Sequence, residues 1–452
     1  MRRLHWVVLL PALLLAAPGA RGGGIELQEM SAAAQGRVLA VKARLEDAST
    51  LFYNPAGLAF LRGFQVQAGD TLVFPVFTAR GPRDAAPGEE WGPVSTTNVL
   101  AAPPHAYASW GGAVGGGHAV GAAVGVNFPF GMAMTWPDDF PGRHLIAGSN
   151  LQIPEILAGV AWSPLPQLSV GAALVVSPAQ VWLRRFLGPE FGLVGDDGAP
   201  IPDATVAMAG SGVGVGAAAG IQARPIRGLY LGLSYRSRIR LDMTGDAHFT
   251  LPGLTDRSGF PDQPVETAFQ LPDIVSLGVG YQILEAWYAE LDVEYTFWSL
   301  FEEIPLDFPD DATGSLSQAI PQDWRNTVTV RFGNEVRLGA RREWAVRAGG
   351  GFDQTPVTPR YLSPMLPDSD RIFVGVGGGY TFAFGLGLDV AYLHTFFLPR
   401  AARGHACVEG STESACARPY DDAGNVPAVG NAFPARYASD AHLLALTVSQ
   451  TF

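Results

Sequence analysis

Between Trp287 and Phe297 the chain alternates without a break. Trp287, Ala289, Leu291, Val293, Tyr295 and Phe297 fall on one face of a strand, and Tyr288, Glu290, Asp292, Glu294 and Thr296 on the other. Three carboxylates at a spacing of two cannot enter a dry core, because burying unpaired charge is costly. Such a strand has to give one face to water or cations. The next candidate strand repeats the pattern, with Val328, Val330, Phe332, Val336 and Leu338 against Thr327, Thr329, Arg331, Glu335 and Arg337. A third sets Leu229, Leu231, Leu233, Tyr235, Ile239 and Leu241 against Tyr230, Gly232, Ser234, Arg236, Arg238, Arg240 and Asp242. An acidic row beside a partly basic one predicts cross-strand pairing in a wet interior lined by Arg236, Arg238, Arg240, Glu290, Asp292, Glu294 and Arg331.

A soluble sandwich with one solvated face would alternate in the same way. The two ends of the chain decide against it. Arg2 and Arg3, the apolar run Val7 to Ala17, and small residues with cleavage after Ala20 or Gly22 make residues 1–22 a secretory signal. That apolar run is too short to cross a membrane, and no later stretch has the roughly 20 apolar residues that a spanning helix needs. A membrane protein without spanning helices has to be a closed β-barrel, which leaves no backbone group unpaired in lipid. The last strand, from about Ser439, places Leu444, Leu446, Val448 and Phe452 on one face. Its terminal Phe452 resembles the recognition signal of bacterial outer-membrane proteins, and implies the barrel-assembly machinery as a partner.

The rest of the chain fits that class. Roughly fourteen strand candidates run from Gly63 to Phe452. Tight turns near Gly115–Gly117, Ser163–Gln167, Arg224–Gly228, Leu284–Glu285, Gly339–Arg342 and Ala383–Gly385 alternate with long polar connections. Short periplasmic turns and long outer loops are the outer-membrane pattern. A net charge of -12 without a basic patch excludes nucleic acid as a partner. Trp298, Trp324 and Trp344, near strand ends, suit interfacial girdles. Cys407 and Cys416 stand nine residues apart in a Gly/Ser/Pro-rich segment and read as a loop disulfide; His405 alone does not complete a metal site. No nucleophile, zinc-protease or phosphate-loop motif is present, so neither an enzyme nor a cofactor is expected. His394 falls on the lipid-facing side of its strand and is not read as catalytic.

Ahead of the strands, Asn54-Pro55-Ala56-Gly57 cannot continue a helix: Pro55 pushes Asn54 toward extended backbone and Gly57 tolerates turn angles. Alone it reads as a turn before the first strand. Its surroundings say more. Glu29-Met30-Ser31-Ala32, Gly36, Ala40-Val41 and the run Asp47 to Ala59 resemble the N-terminal hatch of the FadL/TodX family, outer-membrane channels for long-chain fatty acids and other hydrophobic compounds. The likeness continues through Asn127-Phe128-Pro129-Phe130-Gly131, Trp136, Gly142-Arg143, Leu231 to Ser237, Leu271-Pro272-Asp273, Pro321 to Thr327, Phe352 to Val357 and Leu366 to Arg371.

The resemblance implies an all-β transmembrane barrel over 63–452 with a small helical hatch over 23–62 in its lumen. It implies passive uptake of hydrophobic molecules by a monomer: outer loops collect ligand, a pocket binds it, and movement of the hatch and a kinked strand releases it sideways into the membrane. Asn54, Pro55, Ala56 and Gly57 are then the gate at the junction of hatch and wall. Phe186, Leu187, Phe191 and Leu193 are candidates for capture, or simply pack their own loop. Phe128 and Phe130, beside the ladder-breaking Pro129, are candidates for the pocket, or cap a strand. Two other functions are consistent with alternation alone: a general hydrophilic porin, and a structural or adhesion barrel.

Overall fold

The structure is a computed structural model, and it describes residues 24–81, 91–97, 100–187, 193–196, 198, 201, 203–255, 259–311, 316–402, 433 and 435–452. Fourteen antiparallel strands close on themselves. They are β1 (Gly63–Arg80), β2 (Pro104–Gly115), β3 (His118–Thr135), β4 (Gly148–Leu165), β5 (Leu168–Phe186) and β6 (Thr205–Ala223). Then come β7 (Leu229–Arg236 and Ile239–Thr250) and β8 (Gln263–Leu271 and Ile274–Leu284), each interrupted once. β9 (Trp287–Thr296), β10 (Thr327–Leu338), β11 (Trp344–Asp353), β12 (Arg371–Thr381), β13 (Leu386–Phe397) and β14 (Arg436–Thr451) complete the wall. Pairing of β1 with β14, from Gln65↔Thr451 to Arg80↔Arg436, shuts the barrel. Every tight turn expected from the sequence joins two strands at one end.

The alternation has the physical cause inferred for it. Outward positions carry exposed Val124, Val160, Leu174, Val213, Leu277, Leu291, Phe332, Val376 and Leu446, an apolar band for the bilayer core. Around the end with short turns, Trp110, Trp162, Trp287, Trp344, Phe384 and Phe452 are exposed, and Trp344 packs on Tyr380 at 4.5 Å. Trp344 suits the girdle role. Trp298 and Trp324 do not: they are 1% and 3% exposed and meet each other inside the barrel at 4.9 Å.

Inside, residues 24–62 run as short helices α1 (Ala32–Gln35) and α2 (Thr50–Tyr53) and a 3-10 helix over Pro55–Phe60. No helix of the described residues is long and apolar enough to cross a membrane. The expected signal peptide and the pair Cys407 and Cys416 lie outside the described residues.

Candidate functional site

The N-terminal segment is held by the wall on every side. At its centre lies the acidic row of β9. Asp292 Oδ2 accepts from the backbone N–H of Val41 and Lys42 at 2.8 and 3.0 Å, and Glu290 Oε1 accepts from Ala43 at 2.6 Å. Glu294 meets Lys42 Nζ and Arg331 Nη1 at 3.1 Å each, and accepts from Gln28 Nε2 and Ser276 Oγ. These carboxylates face inward, but their environment is not wet. Glu290, Asp292 and Glu294 are at most 1% exposed, and backbone amides, Lys42 and Arg331 take the place of water.

Asn54-Pro55-Ala56-Gly57 lies where segment and wall touch. Pro55 fixes the first position of the 3-10 helix, and Asn54 is extended (φ -161, ψ 99) as a residue before proline should be. The Asn54 amide donates to Lys42 O at 2.9 Å and to the strand carbonyls of Ile221 and Leu233 at 3.3 and 3.4 Å. Such contact needs bare backbone. A Cβ on Gly220 would lie 2.0 Å from Asn54 Oδ1, and one on Gly232 would lie 2.1 Å from Lys42 O. Inward glycines on most strands, among them Gly121, Gly171, Gly278, Gly333 and Gly377, leave similarly little room.

Toward the outer end, above Ile25, lies an apolar cavity with about 940 Å³ of empty space, part of it open to solvent. Met132, Leu151, Leu183, Met208, Met243, Phe269, Phe301 and Trp324 line it with Ser149, Asn150, Thr244, Thr267 and Gln322. All of its described lining residues are uncharged. A second, polar cavity holds Glu26, Glu29, Arg331, Asp353 and Arg371. An edge-to-face pair of indoles separates the two, because Trp324 belongs to the first and Trp298 to the second.

Beside the apolar cavity one edge of the wall lacks a full strand partner, and Thr97 N caps its far end by donating to Thr135 O at 2.9 Å. The β2–β3 ladder stops at Ala106↔Val126, whereas β3 continues to Thr135. Pairing of β3 with β4 slips between Asn127 and Phe130, around Phe128 and Pro129, and so reverses which residues face inward. The N-terminal segment covers this edge from inside: Leu27 N donates to Pro129 O at 2.7 Å, and Gly131 N to Ile25 O at 2.9 Å. Ile25 thus touches cavity and edge together. Burial, and then the Glu294 charge, raise the neighbouring Glu26 carboxyl from 4.5 to about 8. The neutral acid suits this buried position, so its contribution to docking is complete below pH 4.5 and is lost as pH rises through about 8. Glu26→Gln is expected to abolish that dependence, measured as protection of the Gly131 amide from hydrogen exchange between pH 5 and 9, relative to intrinsic exchange.

Other expected residues are placed differently. Arg236 reaches inward to Glu155 and, at 3.3 Å, to Phe52 O. Arg238 and Arg240 do not line the lumen. Ser237 and Arg238 leave the ladder, so Tyr235 points outward while Ile239 points inward; Arg238 pairs with Asp273 and Arg240 with Asp242 on the outer face. Phe186 and Leu187 are each 4% exposed, and Leu187 packs with Val206, Phe249 and Leu306 while Leu193 covers that cluster. They form loop core and no exposed capture surface. Phe191 lies outside the described residues. Phe130 packs on Trp298 at 6.5 Å, and Phe128 is half-buried at the slip; neither lines the apolar cavity. Of the methionines that line it, Met132, Met208 and Met243 stand on β3, β6 and β7, and Met365 lies in the connection before β12.

The profile described as outer membrane protein transport protein (OMPP1/FadL/TodX) matches residues 13–452. The chain belongs to the FadL/TodX family. This makes it an outer-membrane transporter of hydrophobic compounds and not an enzyme. Its sequence is similar to a long-chain fatty acid transport protein of Escherichia coli, 23% identical over 85% of this chain and 89% of that one. It is also similar to a 47 kDa outer membrane protein of Pasteurella multocida, 24% identical over 86% and 90%. Among solved structures, a FadL homologue of Pseudomonas aeruginosa superposes with a TM-score of 0.76 at 20% identity, covering 95% of this chain and all (100%) of that one. The Pseudomonas putida toluene transporter TodX does so at 0.65 and 16%, covering 96% and 99%.

Proposed function

We propose that this transporter takes up hydrophobic molecules of the long-chain fatty acid or aromatic hydrocarbon kind and releases them through its wall. Ligand collected at the outer loops binds in the apolar cavity above Ile25. Withdrawal of residues 25–27 from β3 then frees the edge beside Pro129, and the ligand passes into the bilayer. The observation that carries this reading is the double role of Ile25, whose side chain lines the cavity while its carbonyl bonds Gly131. Occupancy of the cavity and closure of the edge therefore involve one short segment. An uncharged lining suits hydrocarbon or the apolar part of an amphiphile. Residues 24–62 act as the hatch, with Asn54 and Pro55 holding it to the wall, and the barrel works as a monomer inserted by the assembly machinery through its Phe452-terminated strand. A hydrophilic porin is disfavoured because the hatch occupies the cross-section that a porin leaves to water.

Met243→Trp tests the pocket. Forcing the larger ring into this lining costs about 1–3 kcal/mol, roughly fivefold to 150-fold in occupancy. Uptake of a hydrophobic substrate and the lipid co-purified with the protein, identified by mass spectrometry, should fall together. Heat-modifiable migration on gels verifies the barrel. Unchanged uptake in folded Met243→Trp protein would place the binding site elsewhere.

A further inference from the structure

Polar side chains interrupt the apolar outer face of the wall at the junction of its last two strands. Outward residues of β13 run Leu388, Val390, Tyr392, His394 and Phe396; those of β14 run Leu446, Leu444, His442 and Asp440. His394 and His442 are direct partners across the ladder. On the far side of β14, the outward Phe74 and Val76 of β1 stand opposite His442 and Asp440. β13 rises from its tight turn and β14 descends toward its end, so the group caps the apolar band at its outer edge.

Its internal geometry is specific. One phenol oxygen faces both Nδ1 atoms: Tyr392 Oη is 2.7 Å from that of His442 and 3.2 Å from that of His394. One carboxylate faces both Nε2 atoms: Asp440 Oδ1 is 2.8 Å from that of His394 and Oδ2 is 4.0 Å from that of His442. The imidazoles stand nearly perpendicular, at 89° with centroids 4.4 Å apart, and Phe396 stacks on His394 at 3.9 Å. When both Nδ1–H groups donate to Tyr392 Oη, both rings are neutral and turn an Nε2 lone pair toward Asp440. Three donor atoms then converge within 4.8 Å of one another.

We propose that His394, His442 and Asp440 bind a divalent transition ion of the zinc class. Two imidazoles with one carboxylate form a donor set for zinc and its late first-row neighbours, and not for magnesium or calcium, which prefer all-oxygen sites. Tyr392 orients both rings through the nitrogens that do not bind the ion, the usual role of an outer hydrogen-bond partner. The ion also offsets the charge of Asp440 beside an apolar band. Bound there, it ties β13 to β14 at the foot of their long connection.

Equilibrium dialysis of tag-free, chelator-stripped protein in detergent tests the site, with bound zinc counted by elemental mass spectrometry. Cys407→Ser and Cys416→Ser are included throughout, to remove thiol ligands from the adjoining segment. One zinc per chain is expected, undisturbed by excess magnesium. His394→Ala and His442→Ala should each abolish binding, and Tyr392→Phe should weaken it by about tenfold or more. Heat-modifiable migration confirms that each variant is folded, and Tyr392→Phe, which keeps the ring, is the mildest of them. No saturable zinc binding by the parent protein would overturn the proposal. So would binding that survives both histidine changes, or that magnesium displaces as readily as zinc.

Discussion

Barrels lacking residues 24–45 are expected to insert and fold, yet to conduct small ions in large, steady openings where the intact protein conducts little. None of the fourteen strands lies in this stretch, and among the described residues its ladder contact with the wall is the single bridge between Glu26 and Phe130. Closure depends on β1 and β14. What the deletion removes is the partner of the acidic row. Glu290, Asp292, Glu294 and Arg331 lose the amides and the Lys42 ammonium that compensate them, and water enters to replace both. Specific uptake should vanish with the cavity floor at Ile25. Planar-bilayer recording together with heat-modifiability on gels distinguishes the outcomes. Failure to fold would mean that residues 24–45 are part of the wall's own stability.

The second large effect concerns the edge of β3. Glu26 and Phe130 form a pair flanked by the two bonds Leu27 N to Pro129 O and Gly131 N to Ile25 O. Such a non-hydrogen-bonded antiparallel pair has a Cα separation of about 4.5 Å, within the roughly 4.4–6.8 Å that a disulfide spans. Glu26→Cys with Phe130→Cys, in a chain without Cys407 and Cys416, is expected to cross-link under oxidising conditions. Uptake should drop to that of cells without the protein and recover on reduction. The reduced state is its own control for any damage done by the two substitutions. If oxidised and reduced protein transport alike, ligand leaves without moving the N-terminal segment, and the lateral route past Pro129 is wrong.

Much of the wall was legible in the sequence, because alternation is a local property and each tight turn carries its own glycine or polar signal. The lipid face of β9 and the inward face of its acidic row both follow from residue spacing. What the acids bind does not. Asp292 meets Val41 across 251 positions of chain, and nothing local to either residue announces the other. Phase reversals were equally hidden. Ser237 and Arg238 continue the written alternation, but Asp273 accepts from the Arg238 backbone N–H and side chain at 2.8 Å each, which draws the strand out of register. Reading through that point put Arg238 and Arg240 on the wrong side. Trp298 and Trp324 misled for a related reason: position near a strand end gives height in the membrane but not the direction of the ring. Met132 shares this difficulty, since its inward phase exists only after the slip at Asn127–Phe130.

The glycine contacts bear on the order of assembly. Between Gly220 and Asn54, or Gly232 and Lys42, there is no room for a methyl group, so the hatch cannot slide along a finished lumen. It also precedes β1 in the chain, and β1 pairs with β14 to close the barrel. The wall must therefore wrap around a hatch already in position, as a mould closes on its core. A synthetic peptide of residues 24–62, offered to an empty barrel after closure, has no way back in.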